Sequence, residues 1–159
     1  MKIENFWLTQ SNLVQWEQKP SFAYKKKKNN YVDWYPDGKI NIFDNCITKN
    51  IELGLGKKIA IHCISKNKQI KSYTYEKINE KVNSFSSIIT SQLKNRNISS
   101  CKVMIHASAS LESSISMLSC TKLGIHFSVI FEDLAPEAIL KRISLFKPDV
   151  FFSSFTKKI

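Results

Sequence analysis

Residues 103–131 read VMIHASASLESSISMLSCTKLGIHFSVIF, and this stretch decides the fold class. It begins and ends with short apolar, β-branched and aromatic runs that are typical of buried strands. Between them, Ser110 can cap a helix whose apolar residues recur every three or four positions until Gly124, a residue suited to a helix C-terminus. A strand, a helix and a second strand with short connections predict a right-handed crossover between parallel strands.

The same alternation extends in both directions from this stretch. Downstream, Pro136 suits the first turn of another helix, and residues 149–153 have the composition of a third parallel strand. Upstream, residues 59–64 and 69–73 predict a hairpin or two sequential edge strands. A helix capped by Thr74 has its apolar positions at Ile78, Val82, Phe85, Ile89 and Leu93. We therefore predict an α/β fold with a parallel sheet and crossover helices. The sheet is expected to be partial, because only three crossover strands are predicted, whereas doubly wound sheets commonly use about five or six.

The first third of the chain has a different pattern and is predicted to form a helical and extended appendage. Residues 5–16 have the spacing of a weakly amphipathic helix. Residues 25–30, four lysines followed by two asparagines, predict a solvated loop because such a charge run cannot pack. Residues 31–38 predict an extended aromatic segment closed by a Pro-Asp-Gly turn, and Gly38 can take a positive φ there. Residues 42–54 predict a second helix, which ends at Gly54.

The composition limits the classes of partner and of chemistry. The formal net charge is +11, which would ordinarily suggest nucleic acid or an anionic membrane surface. Only Arg96 and Arg142 are arginines among the 24 basic residues, whereas bidentate phosphate recognition favours arginine. Four scattered glycines cannot build a loop that wraps phosphate groups with backbone N–H donors. We therefore expect the charge to serve solubility, and neither nucleic acid nor a membrane as partner.

The residue types that carry metal or nucleophile chemistry form no recognisable set. The four cysteines, at positions 46, 63, 101 and 120, match neither a C-x-x-C pair nor zinc-ligand spacing, so free thiols in a reducing compartment are expected. His62 and His106 fall inside predicted strands and have no carboxylate at helical spacing. Asp37 and Asp44 suit a turn and a helix start. No catalytic residue and no metal site are predicted, and without a secretory signal the protein is expected to be cytoplasmic.

Several short motifs resemble one family when they are taken in chain order. Trp34-Tyr-Pro-Asp-Gly-Lys-Ile-Asn41 with Asn45-Cys46 resembles the W-F-P-D-G-x-L-N…N-C signature of AMP-forming acetyl-CoA and propionyl-CoA synthetases. The later resemblances are Tyr73-Thr-Tyr-Glu-Lys-Ile with Val82-Asn83, Ile115-Ser-Met-Leu-Ser-Cys-Thr-Lys-Leu-Gly124, Ser128-Val-Ile-Phe131 and Pro136-Glu-Ala with Lys141-Arg-Ile143. The ordered set is specific and covers roughly residues 6–155, which correspond to only the beginning of a family member.

The resemblance implies a domain organisation and an activity. Residues 1–56 would be the N-terminal appendage, and residues 57–159 the beginning of the large AMP-binding domain. A complete family enzyme joins a carboxylate, ATP and coenzyme A into an acyl-CoA, AMP and pyrophosphate, with Mg²⁺ on the phosphates. The family's phosphate loop and its catalytic lysine lie downstream of the matched region. The cofactors ATP, Mg²⁺ and coenzyme A are therefore expected for the complete enzyme and not for this stretch.

Two departures from the family pattern concern the predicted sites. Where the family has F-G-G-F after a strand, a surface that coenzyme A approaches, this chain has Phe131, Glu132, Asp133 and Leu134. Phe131, Glu132 and Asp133 are the cofactor-binding candidates that the resemblance gives, and their two carboxylates would repel an anion. The family's D-R-H after N-C-L is Thr48-Lys-Asn50 here, which loses an arginine and a histidine.

These observations favour the N-terminal part of a truncated or split acetate or propionate ligase, which cannot adenylate alone. Its expected partners are the remainder of the synthetase or a second copy at an open sheet edge. A rival interpretation is a non-catalytic basic module that binds a protein or nucleic acid, and it rests on the net charge and the lysine run. A third is a poorly folded chain that aggregates through its exposed apolar surface.

Overall fold

The structure, a computed structural model, describes residues 3–28, 31–95 and 101–153. Within these ranges no helix combines the length and the apolar character needed to cross a bilayer. The seven described strands are β1 (Tyr24–Lys26), β2 (Val32–Trp34), β3 (Ile59–Ile64), β4 (Ile70–Thr74), β5 (Lys102–His106), β6 (His126–Ile130) and β7 (Val150–Ser153). The described α-helices are α1 (Ile3–Gln10), α2 (Tyr75–Asn95), α3 (Leu111–Lys122) and α4 (Pro136–Phe146).

The parallel sheet predicted from residues 103–131 is confirmed. Its strand order is β6-β5-β7, and both pairs are parallel. The central strand β5 is the most deeply buried, because Val103, Met104 and Ile105 are each at most 1% exposed. The chain passes from β5 to β6 through α3, and then back across β5 to β7 through α4. This reversal makes both β6 and β7 edge strands of the described sheet.

The predicted helix boundaries agree with the caps in the structure. The hydroxyl of Thr74 accepts a hydrogen bond from the Lys77 amide at 3.2 Å, and Pro136 occupies the first turn of α4. Gly124 follows α3 with a φ of 64°, a conformation that glycine adopts without strain. Ser110 caps α3 in a reciprocal pair with Ser113. These local signals work because each one satisfies backbone groups that a helix end leaves without partners.

Two apolar clusters hold the helices against the strands. One contains Val103, Ile105, Ala107 and Cys120, with partly buried residues of β6 and β7 packed around them. The ring of Phe85 on α2 lies 5.1 Å from the ring of Phe152 on β7. Burial, and then the neighbouring Cys101, raise the pKa of the Cys120 thiol to about 12. All four cysteines are free, and Cys120 is a protonated packing residue.

The second cluster connects the first third of the chain to the helices of the sheet layer. Its buried members are Phe43, Ile47, Ile78, Val82 and Ile115. Residues 42–55 form a helical stretch that includes two wide π-helical turns, Asp44–Thr48 and Ile51–Leu55, and Gly54 near its end has a φ of 77°. The predicted helix is therefore confirmed, but with wider turns. The proposed boundary between residues 1–56 and 57–159 stays a prediction.

The antiparallel pair β3–β4 is the predicted hairpin. Its register pairs His62 with Ser72, and the His62 Nδ1 lies 2.9 Å from the Ser72 hydroxyl oxygen. The Tyr75 amide at the start of α2 donates to the Lys58 carbonyl at 3.1 Å, so the hairpin leads directly into the helix.

Three expectations for the appendage are wrong in detail. The first helix ends at Gln10 and is followed by a 3₁₀ turn, so Trp16 lies outside it, because Val14 is extended with φ −110°. The expected lysine loop is in part a strand, since β1 pairs with β2 and Lys27 forms an ion pair with Asp33. Lys25 and Lys26 nevertheless stay exposed, and residues 29–30 lie outside the described residues.

The third correction concerns the turn after β2. The amide of Gly38 donates to the Tyr35 carbonyl at 2.9 Å, which confirms the turn. The positive φ, 48°, belongs to Tyr35 and not to Gly38. Gly38 is needed for space instead, because a Cβ there would lie 2.7 Å from the Trp16 ring.

Candidate functional site

A groove of about 500 Å³ opens at the carboxyl end of the parallel sheet. Its walls are β3, residues 107–110 after β5, the first turn of α3 and the end of β6 with Phe131. We call it the carboxyl-end groove. Open α/β sheets bind ligands outside the carboxyl ends of their strands, so its position is that of a ligand site.

Four serines line the carboxyl-end groove, and the hydroxyls of Ser110, Ser113 and Ser114 form hydrogen bonds at the start of α3. Ser110 Oγ accepts from the Ser113 amide at 3.2 Å, and Ser113 Oγ accepts from the Ser110 amide at 3.1 Å. The Ser113 and Ser114 hydroxyls donate to the Ser110 carbonyl oxygen at 2.9 Å and 3.1 Å. These contacts fix the shape of the wall. The wall can offer hydrogen bonds and apolar contacts to a ligand. It holds no activated nucleophile, because no acid or base contacts these hydroxyls in the described hydrogen bonds.

The structure places the three predicted cofactor-binding residues together but gives them different surroundings. Phe131 lines the carboxyl-end groove and is 64% exposed. Glu132 and Asp133 form the exposed turn between β6 and α4 and do not line the groove. The Leu134 amide donates to the Phe131 carbonyl at 3.4 Å across this turn. The turn is therefore where the sequence placed it, and its acidic side chains face solvent.

The turn between Phe131 and α4 is acidic. Glu132 and Asp133 precede α4, and Glu137 lies in its first turn. Three carboxylates at a helix N-terminus interact favourably with the helix dipole, which explains their presence locally. The same carboxylates would repel a phosphate group that approached Phe131.

The histidines and acids of the described residues do not form a metal or catalytic site. No group of three or more His, Cys, Asp or Glu residues within 3–28, 31–95 and 101–153 could hold a metal ion. Asp44 Oδ1 accepts from the Thr48 hydroxyl at 3.0 Å, which is a local helix contact. Asp37 accepts from the Ser21 hydroxyl and from the Ser21 amide, the latter at 2.9 Å, and these bonds, the hydroxyl's first, hold the pKa of Asp37 below its usual value.

The residues of the W-x-P-D-G…N…N-C signature hold the appendage together. The Tyr35 hydroxyl donates to the Trp7 carbonyl at 2.8 Å, and the Trp7 and Trp34 rings meet edge to face with centroids 5.2 Å apart. Asp37 ties the turn to Ser21. From the sequence, this signature indicated only a resemblance to a family. In the structure, its residues form contacts between α1, β2 and the turn.

Two asparagines of the same signature join the helical stretch 42–55 to its neighbours, Asn45 to the segment after α1 and Asn41 to the end of α3. Asn45 Oδ1 accepts from the Gln15 amide and Asn45 Nδ2 donates to the Gln15 carbonyl, both at 2.8 Å, as a neighbouring strand would. Asn41 Oδ1 accepts from the Phe43 amide at 2.9 Å, and Asn41 Nδ2 donates to the Lys122 carbonyl at 3.3 Å. The sequence offered only the helix-capping tendency of asparagine as a signal for these roles.

Replacing Gly38 with alanine should lower the free energy of unfolding by about 1–3 kcal/mol, the usual cost of overpacking. The added Cβ would lie 2.7 Å from the Trp16 ring and 3.2 Å from the Tyr35 carbonyl oxygen, neither of which can easily move. Lys39→Ala, at the exposed neighbouring position, is the control, and we expect it to change the free energy of unfolding by no more than about 0.5 kcal/mol. Equal losses for the two variants in urea unfolding would contradict the assigned role of Gly38.

Comparison with known proteins shows what the whole arrangement is similar to. The family model described as "Acetyl-coenzyme A synthetase N-terminus" matches residues 2–46, which include the signature segment. The acetyl-coenzyme A synthetase of Bartonella henselae is 34% identical over 148 residues, which are 88% of this chain and 21% of that protein. That of Leptospira biflexa is 30% identical over 154 residues, 92% of this chain and 22% of that protein.

Solved structures support the fold independently. The acetoacetyl-CoA synthetase from Streptomyces lividans superposes with a TM-score of 0.79 at 14% identity, over 96% of this chain and 23% of that chain. The protein CmiS6 superposes with a TM-score of 0.62 over 75% of this chain. In sequence, the chain spans about a fifth of the length of the acetyl-coenzyme A synthetases that it matches.

Proposed function

We propose that this chain supplies the scaffold of an acetate- or propionate-activating ligase and none of its adenylation chemistry. The chain corresponds to the N-terminal portion of AMP-forming acetyl-coenzyme A synthetases. The observation that carries the proposal is the ordered match to the relatives over nearly the whole chain, beside a sheet end that lacks catalytic groups among its described residues. The scaffold is the appendage, the β3–β4 hairpin and the first three parallel strands.

The proposed reaction has two steps whose requirements can be compared with the residues present. A carboxylate oxygen attacks the α-phosphorus of ATP and releases pyrophosphate, and the coenzyme A thiol then displaces AMP from the acyl-adenylate. The first step needs Mg²⁺ and donors around the phosphates. Ser110, Ser113 and Ser114 of the carboxyl-end groove bond to one another, and the nearest charged groups along the chain from Phe131 are carboxylates. Binding of ATP and Mg²⁺ therefore falls to the sequence that the relatives carry beyond the matched fifth.

The cell compartment is part of the same proposal. ATP and coenzyme A are both available in the cytoplasm, and the four free thiols suit its reducing conditions. We therefore place the protein in the cytoplasm.

The direct test is acetate-dependent exchange of labelled pyrophosphate into ATP, with Mg²⁺ present. The purified chain should give no exchange above a reaction without acetate, and propionate should give the same result. The Bartonella henselae enzyme in the same assay serves as the positive control. Carboxylate-dependent exchange by the chain alone would overturn the assignment of a purely structural role.

The acidic turn gives a finer expectation for the second step. We assign Phe131, Glu132 and Asp133 to the approach path of coenzyme A, where the two carboxylates repel its phosphates. In a chimera that carries this chain in place of the matched N-terminal fifth of the Bartonella henselae enzyme, Glu132→Gln with Asp133→Asn should lower the KM for coenzyme A about 10-fold. Removing two close repulsions of about 0.5–1 kcal/mol each would produce a change of this size.

The control for the acidic turn is the charge change Glu80→Gln with Glu76→Gln on α2, away from the groove. It should leave the KM for coenzyme A unchanged, and neither double variant should change the KM for ATP. Equal KM values for coenzyme A in the acidic-turn variant and the parent chimera would remove these three residues from the cofactor path.

A further inference from the structure

A groove of about 640 Å³ lies between the second half of α2 and the end of α3. We call it the α2–α3 groove, and its polar lining includes Asn83, Ser86, Ser87, Thr90, Lys94 and Lys122. The carboxyl-end groove lies at the other end of α3, a helix of 12 residues that is about 18 Å long. The volume of the α2–α3 groove is within the usual range of small-molecule sites, about 300–1,000 Å³.

The charged side chains of the α2–α3 groove are all positive. Its described lining contains Lys94 and Lys122 and no aspartate or glutamate. The ion pairs found in the described part of the chain involve Lys27 and Lys77, so no carboxylate neutralises the two groove lysines there. Ammonium groups without a carboxylate partner attract anions, and a concave surface focuses their potential.

The ammonium group of Lys122 is held in place beside the groove. It donates to Asn83 Oδ1 and lies 4.8 Å from the ring centroid of Phe43. Because an ammonium has three N–H donors, Lys122 can still donate to a ligand. The end of α3 does not need this lysine as a cap, since the carbonyls of residues 119–121 already accept from the amides of residues 123–125.

A buried hydroxyl lines the same groove. Ser86 is 5% exposed, and its Oγ has no hydrogen-bond partner among the described residues. A buried hydroxyl without a partner destabilises a fold, so such a group in a groove is suited to donate to a ligand. Ser86 therefore adds a neutral donor to the two ammonium groups.

The hydroxyls of Ser87 and Thr90 offer the groove acceptors instead of donors. The Ser87 hydroxyl donates to the Asn83 carbonyl and the Thr90 hydroxyl to the Ser86 carbonyl, both at 2.9 Å. Because each proton is used within α2, these side chains present their oxygen lone pairs to a ligand. Such lone pairs accept hydrogen bonds from ligand hydroxyls. A ligand with one anionic group and several hydroxyls therefore matches both sets of side chains.

We propose that the α2–α3 groove binds a sugar phosphate. Its phosphate oxygens accept from Lys94, Lys122 and Ser86, and its sugar hydroxyls donate to Ser87 and Thr90. A phosphate monoester carries about two negative charges at neutral pH, which the two lysines balance as point charges. The α2–α3 groove is separate from the carboxyl-end groove, so this site does not depend on the proposed function.

Isothermal titration calorimetry of the purified chain with ribose 5-phosphate tests the site without an activity readout. We expect a Kd of about 1 mM or below, and ribose, which lacks the phosphate, should bind at least about 10-fold more weakly. Lys94→Gln and Ser86→Ala should each weaken binding about 10-fold, the usual effect of one hydrogen bond to a charged group. Lys66→Gln removes an exposed charge between β3 and β4, and this matched control should leave the Kd unchanged.

The Ser86→Ala variant separates binding from folding. Thr90 bonds to the Ser86 backbone carbonyl, so the variant loses no described hydrogen bond and should melt at no lower temperature than the parent without ligand. Absence of binding heat with ribose 5-phosphate would overturn the site, as would equal weakening by Lys66→Gln and Lys94→Gln. Equal affinities for inorganic phosphate and ribose 5-phosphate would contradict a sugar phosphate as the ligand. These failures would leave the proposed function standing, because pyrophosphate exchange is measured separately.

Discussion

Phe43→Ala should lower the free energy of unfolding by about 3–5 kcal/mol, the usual cost of deleting a buried aromatic side chain. Phe43 is 2% exposed and packs in the cluster with Ile78, Val82 and Ile115, and the Lys122 ammonium lies 4.8 Å from its ring centroid. Domains of ordinary size are stable by about 5–15 kcal/mol, so this one change should remove a large part of the total. Urea unfolding followed by circular dichroism measures it.

The control for Phe43 lies on the same helical stretch. Leu53 is 64% exposed, and Leu53→Ala should change the free energy of unfolding by no more than about 0.5 kcal/mol. Similar small effects of both substitutions would show that residues 42–55 do not share a core with α2 and α3. A large effect of Phe43→Ala alone supports the view that the appendage and the sheet layer unfold together.

The parallel part of the fold could be predicted from the sequence because each element carries its own local signals. β5, α3 and β6 have an apolar run, a serine cap, a terminal glycine and another apolar run in that order, and short connections leave one handedness. The strand order β6-β5-β7 was not predictable in this way. It depends on which edge of β5 the third strand reaches, and β7 itself carries no signal that distinguishes the two edges.

The appendage was predicted less well because long-range contacts determine its local structure. Gln15 bonds to Asn45, 30 positions away, and this contact holds the segment after α1 extended. β1 forms because the Tyr24–Lys26 backbone meets β2, although four consecutive lysines favour a loop locally. The positive φ lies at Tyr35, and Gly38 is kept small by Trp16 from a different part of the chain.

A strand-to-helix rule and a family pattern predicted the position of the candidate site in the sequence. Neither predicted which other elements surround it. The rule placed Phe131, Glu132 and Asp133 at the carboxyl end of β6. It could not indicate that β3 forms the opposite wall of the carboxyl-end groove, since β3 lies far away along the chain. The packing of α2 against β7 was also not predictable, because the two elements are separated by two strands and two helices in sequence.

The largest functional effect is expected from joining this chain to the remainder of a relative. The isolated chain has no residues in its described groove that could activate ATP, whereas the remainder of a relative has no N-terminal scaffold. The two pieces in one chimera should therefore form the acyl-adenylate, and the acidic turn should affect only the later transfer to coenzyme A. Rate enhancements for activated acyl transfer are many orders of magnitude, so presence and absence of activity are easily separated.

Acetate-dependent exchange of pyrophosphate into ATP by that chimera is the most direct measurement of the central claim. We predict a soluble enzyme with exchange within about 10-fold of the parent Bartonella henselae synthetase, a difference of about 1.4 kcal/mol in the barrier. Absence of exchange from a soluble, folded chimera would show that this chain cannot serve as the N-terminal scaffold of an acid-activating ligase.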